Sequence, residues 1–434
     1  MSNIPPEVRK TLEEKIIGMW SEVLKIDDIQ SDDDFFELGG DSISGMRFIN
    51  RLQEEVGEKI LIVAIFDASK VSTLAEYLYN NYPKYVAKIS GVEAPAGDNG
   101  GKPGEGYTLT WDDVNNFFKI HSRHTALVVP DEEDLEIKNK LDRAVFVLSP
   151  PRSGSTLLRI MLGGNPRLFA PPELYMLTFN NLKERQPYMK DRHRWLFATG
   201  VIRTIMELKN CDADEAERIV DELTEKNLTT KQFYGVLQEW VGDRIIVDKT
   251  PAYAANINIL KRAEQIFDNA FYIHLSRHPL GMIRSFLKMR MHLNYEQDHK
   301  YTGEQVAELF WVLAHNNLLE FLADIPLSRQ MHIRYEDLVR EPENIMQKFC
   351  GKMDIDYHPE MVEPYQNLDR KMTDGPLPDS QMVGDVKFQD HKKINPKVSE
   401  SWRKDYSETM LQDITVEVAR KLGYSIEKTE SVAV

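Results

Sequence analysis

The sequence predicts a small all-α four-helix domain followed by an α/β domain with a central parallel sheet. Up to residue 82, apolar residues recur at helical spacing. From residue 141 to 427, short apolar runs alternate with longer helical stretches, which is the pattern of a parallel sheet covered by helices. Residues 83–140 include a stretch rich in glycine and proline, which predicts a linker and a short adaptor.

Composition and charge argue against several classes of protein. With 42% hydrophobic and 28% charged residues, the 434-residue chain is typical of a globular protein, and no apolar run is long enough to span a membrane. The N-terminus has no signal-peptide pattern, so we expect a cytoplasmic location. The net charge of −15 argues against nucleic acid as a partner. Cys211 and Cys350 lie far apart without metal-ligand spacing, so no metal site is predicted.

The first domain is predicted to consist of amphipathic helices around a small core. A long helix opens at Pro5-Pro6, and an acidic loop follows over residues 31–44. A second helix begins at Ser42, and a third covers Thr73 to Leu78. The loop is expected to fill the core with three apolar residues, namely Phe35, Phe36 and Leu38.

Ser42 follows two glycines and an aspartate at the start of the second helix. Considered alone, it is explained by helix capping, for which serine is a favoured residue. The segment Phe35-Phe-Glu-Leu-Gly-Gly-Asp-Ser-Ile43, however, resembles the attachment motif of carrier domains in non-ribosomal peptide and polyketide synthases, and the similarity extends over residues 8–80. The resemblance implies that a phosphopantetheinyl transferase attaches 4′-phosphopantetheine to Ser42. It also implies upstream synthase modules as partners and an acyl or peptidyl substrate tethered to the carrier.

The second domain opens with a strand, a turn and a helix that predict an anion-binding corner. Val145 to Leu148 indicates a buried strand, and an amphipathic helix follows the turn Pro151-Arg-Ser-Gly-Ser-Thr156. The helix N-terminus offers free backbone N–H groups, Arg152 adds a forked cation, and Gly154 lets the backbone approach closely. The loop lacks the Gly-Lys pair of nucleoside-triphosphate loops. An ordinary strand–turn–helix corner is the alternative.

Further segments place polar residues where predicted strands or turns end. Glu173 follows Pro171-Pro172, and its alternative reading is a solvated surface acid. Lys249 ends a strand in Asp248-Lys-Thr-Pro251, where the alternative is a salt-bridged strand end. Arg277 ends another strand, and Ser285 lies two turns into the next helix. Two histidines in this region are candidate bases, namely His278 and His292.

The turn at residues 151–156 resembles the 5′-phosphosulfate loop of sulfotransferases that use 3′-phosphoadenosine 5′-phosphosulfate (PAPS) and have a P-loop-like fold. Five residues would bind this co-substrate, namely Arg152, Ser153, Gly154, Ser155 and Thr156. Arg277 and Ser285 resemble the 3′-phosphate clamp of these enzymes, and ATP has no 3′-phosphate. Glu173 resembles their general base, Arg152 would stabilise developing charge, and His292 is a further catalytic candidate. Residues 382–394 resemble a nucleotide-covering segment in which Lys387 contacts phosphate.

Across residues 143–405 the order of motifs resembles the sulfotransferase domains of the curacin and olefin synthase polyketide systems. That resemblance implies sulfation of a β-hydroxyl on a carrier-bound acyl chain. Those systems add a thioesterase that eliminates the sulfate, and no such segment precedes Val434, so the fate of the sulfate stays open. Two other functions are weighed: a nucleotide-dependent kinase on the same loop, and a carrier fused to a non-catalytic docking domain. Residues 178–195, rich in basic side chains, are expected to form a flap over the acceptor.

Overall fold

A computed structural model of the chain describes most of its residues, and they form two compact units. The first unit contains the described residues up to 91, together with 186–190 and 196–199, and the second contains the rest. The described residues are 4–40, 42–56, 60, 64–91, 107–125, 139–190, 196–295, 301–368, 371–374, 388 and 391–427. None of the helices in these ranges is both long and apolar enough to cross a bilayer.

The first unit is helical, as predicted. Its helices up to residue 91 are α1 (Pro6–Leu24), α2 (Ser42–Val56), α3 (Ala64–Asp67), α4 (Val71–Asn81) and α5 (Pro83–Ser90). Trp20 forms the centre of the core, where its ring meets those of Phe35 and Phe48 edge to face at 5.0 and 6.0 Å between centroids. Phe35 therefore fills the core from the loop as expected.

The loop before α2 is locked against this core. Asp34 accepts hydrogen bonds from the Ser69 hydroxyl over 2.6 Å and from the Phe36 backbone N–H over 3.0 Å. A Cβ added at Gly40 would overlap the ring of Phe35, so the loop can pass over that ring only with a glycine there. The chain then enters α2 at Ser42, the position that the sequence predicts.

The predicted linker begins later than residue 83. Pro83 occupies the first turn of α5, where its missing N–H costs nothing, and Tyr85 and Val86 are buried. The helix ends at Gly91, whose φ of +69° is the left-handed conformation that glycine favours. The sequence misses α5 because the helix is short and stands directly before the glycine-rich stretch.

The second unit is built on a five-stranded sheet in which every pairing is parallel. Its strands are β1 (Val145–Leu148), β2 (Leu168–Phe169), β3 (Ile245–Lys249), β4 (Phe271–Ser276) and β5 (Gln330–Arg334), and they lie in the order β2-β3-β1-β4-β5. The central strands β1, β3 and β4 are buried throughout. This arrangement confirms the predicted α/β domain, and the carboxyl ends of its strands meet at one edge.

Helices account for most of the remaining described residues. They are α6 (Trp111–Thr125), α7 (Ser155–Leu162), α8 (Leu182–Lys190), α9 (Leu196–Lys209), α10 (Ala213–Glu225), α11 (Thr230–Val241), α12 (Ile257–Ile266), α13 (Pro279–Lys288), α14 (Gly303–Ala323), α15 (Tyr335–Arg340), α16 (Pro342–Met353) and α17 (Asp413–Lys421). The long helix α14 is buried along most of its length.

Helix α6 lies in the stretch predicted to be an adaptor, and it packs within the second unit. The ring of Phe117 meets that of Phe310 on α14, with centroids 6.0 Å apart. Asp113 accepts hydrogen bonds from the hydroxyls of Tyr107 and Tyr301 over 2.6 and 2.8 Å. Burial alone would raise the pKa of Asp113, but these bonds and those from Thr110 lower it to about 2. The aspartate is therefore ionised, and it anchors α6 to the start of α14.

Candidate active site

The loop between β1 and α7 takes a conformation that demands glycine. Gly154 has a φ of +89°, and a Cβ at this position would overlap the ring of Tyr335. Arg152 is also left-handed, with a φ of +64°. The tight turn directs the chain into α7 at Ser155, directly after the strand end.

This loop has the properties of a phosphate site. Ser153 is fully buried, and its hydroxyl makes no hydrogen bond to any residue that the structure describes. Such a buried hydroxyl normally has a partner, and a bound phosphate oxygen is one. Ser155 and Thr156 are buried beside it, in the first turn of α7, where backbone N–H groups have no partner within the helix. A phosphate or phosphosulfate group fits this set of donors.

Arg152 contacts both Arg277 and Ser285, the two residues predicted to bind the 3′-phosphate. Nε of Arg152 donates a hydrogen bond to the hydroxyl of Ser285 over 3.1 Å. Nη1 of Arg277 donates to the backbone oxygen of Arg152 over 2.9 Å. The indole N–H of Trp311 donates to the backbone oxygen of Arg277 over 3.0 Å, which fixes the end of β4. Two guanidinium groups and a hydroxyl thus form one cationic corner beside the loop.

Glu173 is held by two partners and is not a solvated surface acid. Nζ of Lys249 lies 2.5 Å from one carboxylate oxygen, and the hydroxyl of Tyr175 donates to the other over 2.6 Å. The side chain of Lys249 is 1% exposed and that of Glu173 is 12% exposed. Burial lowers the pKa of Lys249, and the negative charge of Glu173 opposes that effect. Lys249 is therefore a salt-bridged strand end, and its partner is the predicted base.

The backbone around Glu173 and Lys249 is closely packed. A Cβ at Gly200 on α9 would overlap the backbone oxygen of Glu173, so this helix touches the segment directly. Asp248 is buried and accepts hydrogen bonds from the hydroxyls of Tyr253 and Thr250 over 3.0 and 2.8 Å, and from that of Tyr234. Thr250 therefore points to Asp248.

Arg159 is a component that the sequence analysis missed. It is fully buried in α7, where Nη1 donates to the backbone oxygens of Ala170 and Lys371 over 2.7 and 3.1 Å. Nη2 donates to the backbone oxygen of Met372 over 3.1 Å. Burial lowers its pKa to about 9, and Glu173 opposes that shift. Arg159 thus connects the loop helix with the segment that leads to Glu173.

The two histidine candidates lie in separate packing environments. The ring of His278 stacks on Trp402 at 4.2 Å, and burial lowers its pKa to about 4, so it is neutral at pH 7 and forms no ion pair with Glu408 at 3.3 Å. His292 packs against Gly303 at the start of α14, and burial likewise lowers its pKa to about 4. Within the described residues, no hydrogen bond joins His292 to Glu173 or Lys249. Its catalytic role stays a prediction.

Some predicted site residues fall elsewhere. Lys387 lies outside the described residues. Residues 191–195, which contain several basic side chains of the expected flap, also lie outside them. Arg185 is fully buried, so it does not belong to an exposed flap surface. Tyr175 is a contact of Glu173 that the sequence analysis did not identify, although it lies only two residues further along the chain.

Two family models match the chain. The one described as phosphopantetheine attachment site matches residues 14–78, and the one described as sulfotransferase family matches residues 144–359. A curated relative, a linear gramicidin synthase from Brevibacillus parabrevis, is 37% identical over 70 residues, which are 16% of this chain and 1% of the relative. The chain covers only 1%, 2% and 6% of the first three such relatives.

The solved structures that resemble this chain include two sulfotransferase domains. The sulfotransferase domain from the curacin biosynthetic pathway is 37% identical with a TM-score of 0.59, over 67% of this chain and 100% of that one. The sulfotransferase domain from the Synechococcus PCC 7002 olefin synthase is 32% identical with a TM-score of 0.59, over 67% of this chain and 98% of that one.

Proposed function

The chain belongs to the sulfotransferase family and carries a phosphopantetheine attachment domain, and from this premise we propose that it sulfates a substrate held on its own carrier domain. The donor is PAPS, and the acceptor is a hydroxyl, the β-hydroxyl of an acyl or peptidyl intermediate. Upstream synthase modules supply that intermediate in the cytoplasm. We assign the carrier to residues 1–91, which extends the predicted boundary at residue 82 by helix α5, the linker and adaptor to 92–140 and the catalytic domain to 141–427.

The cationic corner beside the loop is the observation that carries this proposal. Arg152, Arg277 and Ser285 come from three different elements and are linked by hydrogen bonds next to the buried hydroxyl of Ser153. The loop suits a phosphosulfate, and the corner suits a second phosphate on the same nucleotide. PAPS has both groups, whereas ATP has no 3′-phosphate to occupy the corner.

Glu173 is the residue best suited to accept the proton of the acceptor hydroxyl. Lys249 and Tyr175 hold its two oxygens in place, and each carboxylate oxygen keeps a lone pair for a further hydrogen bond. The hydroxyl oxygen forms a bond to sulfur while the bond from sulfur to the bridging phosphate oxygen breaks. The proton passes to Glu173, and the negative charge develops on the departing adenosine 3′,5′-bisphosphate. Arg152 and the N–H groups of the loop stabilise that charge.

The prosthetic group of the carrier is assigned to Ser42. Gly40 packs on the buried ring of Phe35, and this contact fixes the loop before the serine. Ser42 is the first residue of α2. A phosphate ester at a helix N-terminus is favourable because the helix dipole and free N–H groups stabilise its charge. The attached 4′-phosphopantetheine would supply the thiol to which the acceptor is esterified.

A nucleotide-binding comparison separates this proposal from a kinase. Calorimetric titrations with adenosine 3′,5′-bisphosphate and with ATP plus Mg²⁺ measure the two affinities on the full-length protein. We expect the bisphosphate to bind more tightly by at least about tenfold, because the corner adds charge-assisted hydrogen bonds. A preference for ATP would support the kinase, and binding of neither nucleotide would support a docking domain.

Transfer to the carrier is tested with radiolabelled PAPS and the protein loaded with a β-hydroxyacyl group. We expect label on the wild-type protein and none on Ser42→Ala, which cannot carry the acceptor. Label that persists in Ser42→Ala would show that the enzyme sulfates another group, and the tethered substrate would then be wrong.

A further inference from the structure

Tyr335 lies between two parts of the proposed nucleotide site. Arg277 follows β4, and Tyr335 begins α15 directly after β5. The last register pair of these two strands is Ser276 with Arg334, so Arg277 and Tyr335 are neighbours just beyond the paired residues. The guanidinium carbon of Arg277 lies 4.6 Å from the centre of the Tyr335 ring, which is the geometry of a cation–π contact.

The same ring also contacts the loop after β1. A Cβ at Gly154 would overlap the Cδ2 and Cε2 atoms of Tyr335, so the ring packs against the glycine backbone. Tyr335 is 8% exposed and belongs to the apolar core that joins the sheet to α7, α15 and α16. A ring fixed by this core and in contact with both Gly154 and Arg277 sets the spacing between them.

Two hydrogen bonds connect the segments that surround the ring of Tyr335. Nη1 of Arg277 donates to the backbone oxygen of Arg152 in the loop over 2.9 Å. The backbone N–H of His278 donates to Glu336, the next residue after Tyr335, over 3.0 Å. The first two residues of α15 therefore hold both the side chain of Arg277 and the backbone that follows it.

We propose that Tyr335 is a positioning residue that holds the Arg277 guanidinium at the distance from the loop required by a nucleotide phosphorylated at the 3′ position. This inference rests on the proposed function, in which Arg277 binds the 3′-phosphate. A free arginine side chain loses rotamer entropy when it binds, whereas one stacked on a ring has lost much of that entropy beforehand. The ring thus increases affinity for the 3′-phosphate specifically.

The test compares adenosine 3′,5′-bisphosphate with adenosine 5′-monophosphate by calorimetry on the full-length protein. Tyr335→Leu removes the ring and keeps an apolar side chain, and Tyr335→Phe keeps the ring. We expect Tyr335→Leu to weaken bisphosphate binding about tenfold, the equivalent of about 1.4 kcal/mol, and to change monophosphate binding by less than about twofold. We expect Tyr335→Phe to keep the wild-type ratio of the two affinities.

A matched control removes the same kind of contact elsewhere. The ring of Phe169 on β2, at the opposite edge of the sheet, lies 4.8 Å from the guanidinium carbon of Arg244. Phe169→Leu should leave the affinity ratio unchanged. If Tyr335→Leu does not fold, pentafluorophenylalanine at position 335 keeps the ring shape but repels a cation, and it should lower the ratio in the same direction.

Arg277→Ala separates failure of this inference from failure of the proposed function. A variant Arg277→Ala that keeps the preference for the bisphosphate would overturn the nucleotide site, and the role of Tyr335 with it. If Arg277→Ala loses the preference, either of two results would overturn the positioning role alone. In the first, Tyr335→Leu and the pentafluorophenylalanine variant keep the wild-type ratio of the two affinities. In the second, they weaken the binding of both nucleotides equally.

Discussion

Lys249 and Glu173 form a buried ion pair, with 2.5 Å between the ammonium nitrogen and a carboxylate oxygen, at the carboxyl end of β3. The hydroxyl of Tyr175 occupies the second oxygen, so the carboxylate has a fixed orientation. A carboxylate held in this way loses little entropy when a substrate hydroxyl arrives, because the rotamer of the carboxylate side chain is already determined. The contact joins two residues that are 76 positions apart in the sequence.

Replacing Glu173 by Gln tests the general base. The amide keeps the shape and can still accept a hydrogen bond from Lys249, but it cannot take the proton of the acceptor. We expect kcat to fall by at least about 10²-fold, while the affinity for adenosine 3′,5′-bisphosphate stays the same. His292→Gln is the comparison, since a histidine with a pKa of about 4 is a weak base at pH 7. A larger loss in His292→Gln than in Glu173→Gln would reverse the assignment.

A double-mutant cycle measures the ion pair itself. Lys249→Met alone leaves the Glu173 charge without its cation, and we expect it to lower the free energy of unfolding by about 3 kcal/mol. The double variant with Glu173→Gln should lose less than the sum of the two single variants, by about 1 kcal/mol or more. Urea unfolding gives the three values. Strict additivity would mean that the two side chains do not interact in solution.

Gly154→Ala tests the geometry of the loop. The left-handed φ of +89° costs an alanine about 1–2 kcal/mol, and its Cβ would overlap the ring of Tyr335. We expect a lower melting temperature and loss of measurable nucleotide binding. Gly423→Ala is the control, because Gly423 also has a positive φ of +75° but open space around its Cβ position. Gly423→Ala should be less stable as well, but should bind nucleotide normally.

The pH dependence of stability follows from a buried histidine pair. His274 and His315 lie in the core with 2.9 Å between ring nitrogens, and burial lowers both pKa values well below 6.5. The folded protein therefore keeps them neutral, while the unfolded chain takes up protons below about pH 6.5, so stability falls as the pH decreases below that value.

Unfolding in urea at pH 7.5 and pH 5 measures this loss. We expect His315→Gln, which cannot titrate, to lose less free energy of unfolding between the two conditions than the wild type does. His391→Gln, at an exposed position, should behave as the wild type. Equal losses in all three proteins would show that the buried pair does not control the acid sensitivity.

The elements of the sheet that the sequence predicts are those with a strong apolar signal. β1 is a continuous apolar run, and β3 and β4 each begin with three apolar residues, whereas β5 alternates buried Met331 and Ile333 with an exposed His332, which is a weaker pattern. The order of the strands depends on contacts between distant segments, and no local pattern in the chain encodes it.

The loop, the cationic corner and the proposed base are recognisable in the sequence because each belongs to a short polar segment after an apolar run. Arg159 and Tyr335 were missed because their roles arise only from long-range contacts, with Met372 in one case and Gly154 in the other. A signal for Arg159 was present, since it is the single charged residue of α7 and stands in the apolar stretch from Leu157 to Leu162. A charge buried on such a helix indicates a structural partner.

Intact-protein mass spectrometry tests the central claim most directly. The chain is converted to the holo form at Ser42, loaded with a β-hydroxyacyl group and incubated with PAPS. We predict a mass gain of one sulfuryl group in the wild type and none in Arg277→Ala, which lacks the proposed contact with the 3′-phosphate. No gain in the loaded wild-type protein, although it binds adenosine 3′,5′-bisphosphate, would contradict sulfation of the tethered β-hydroxyl.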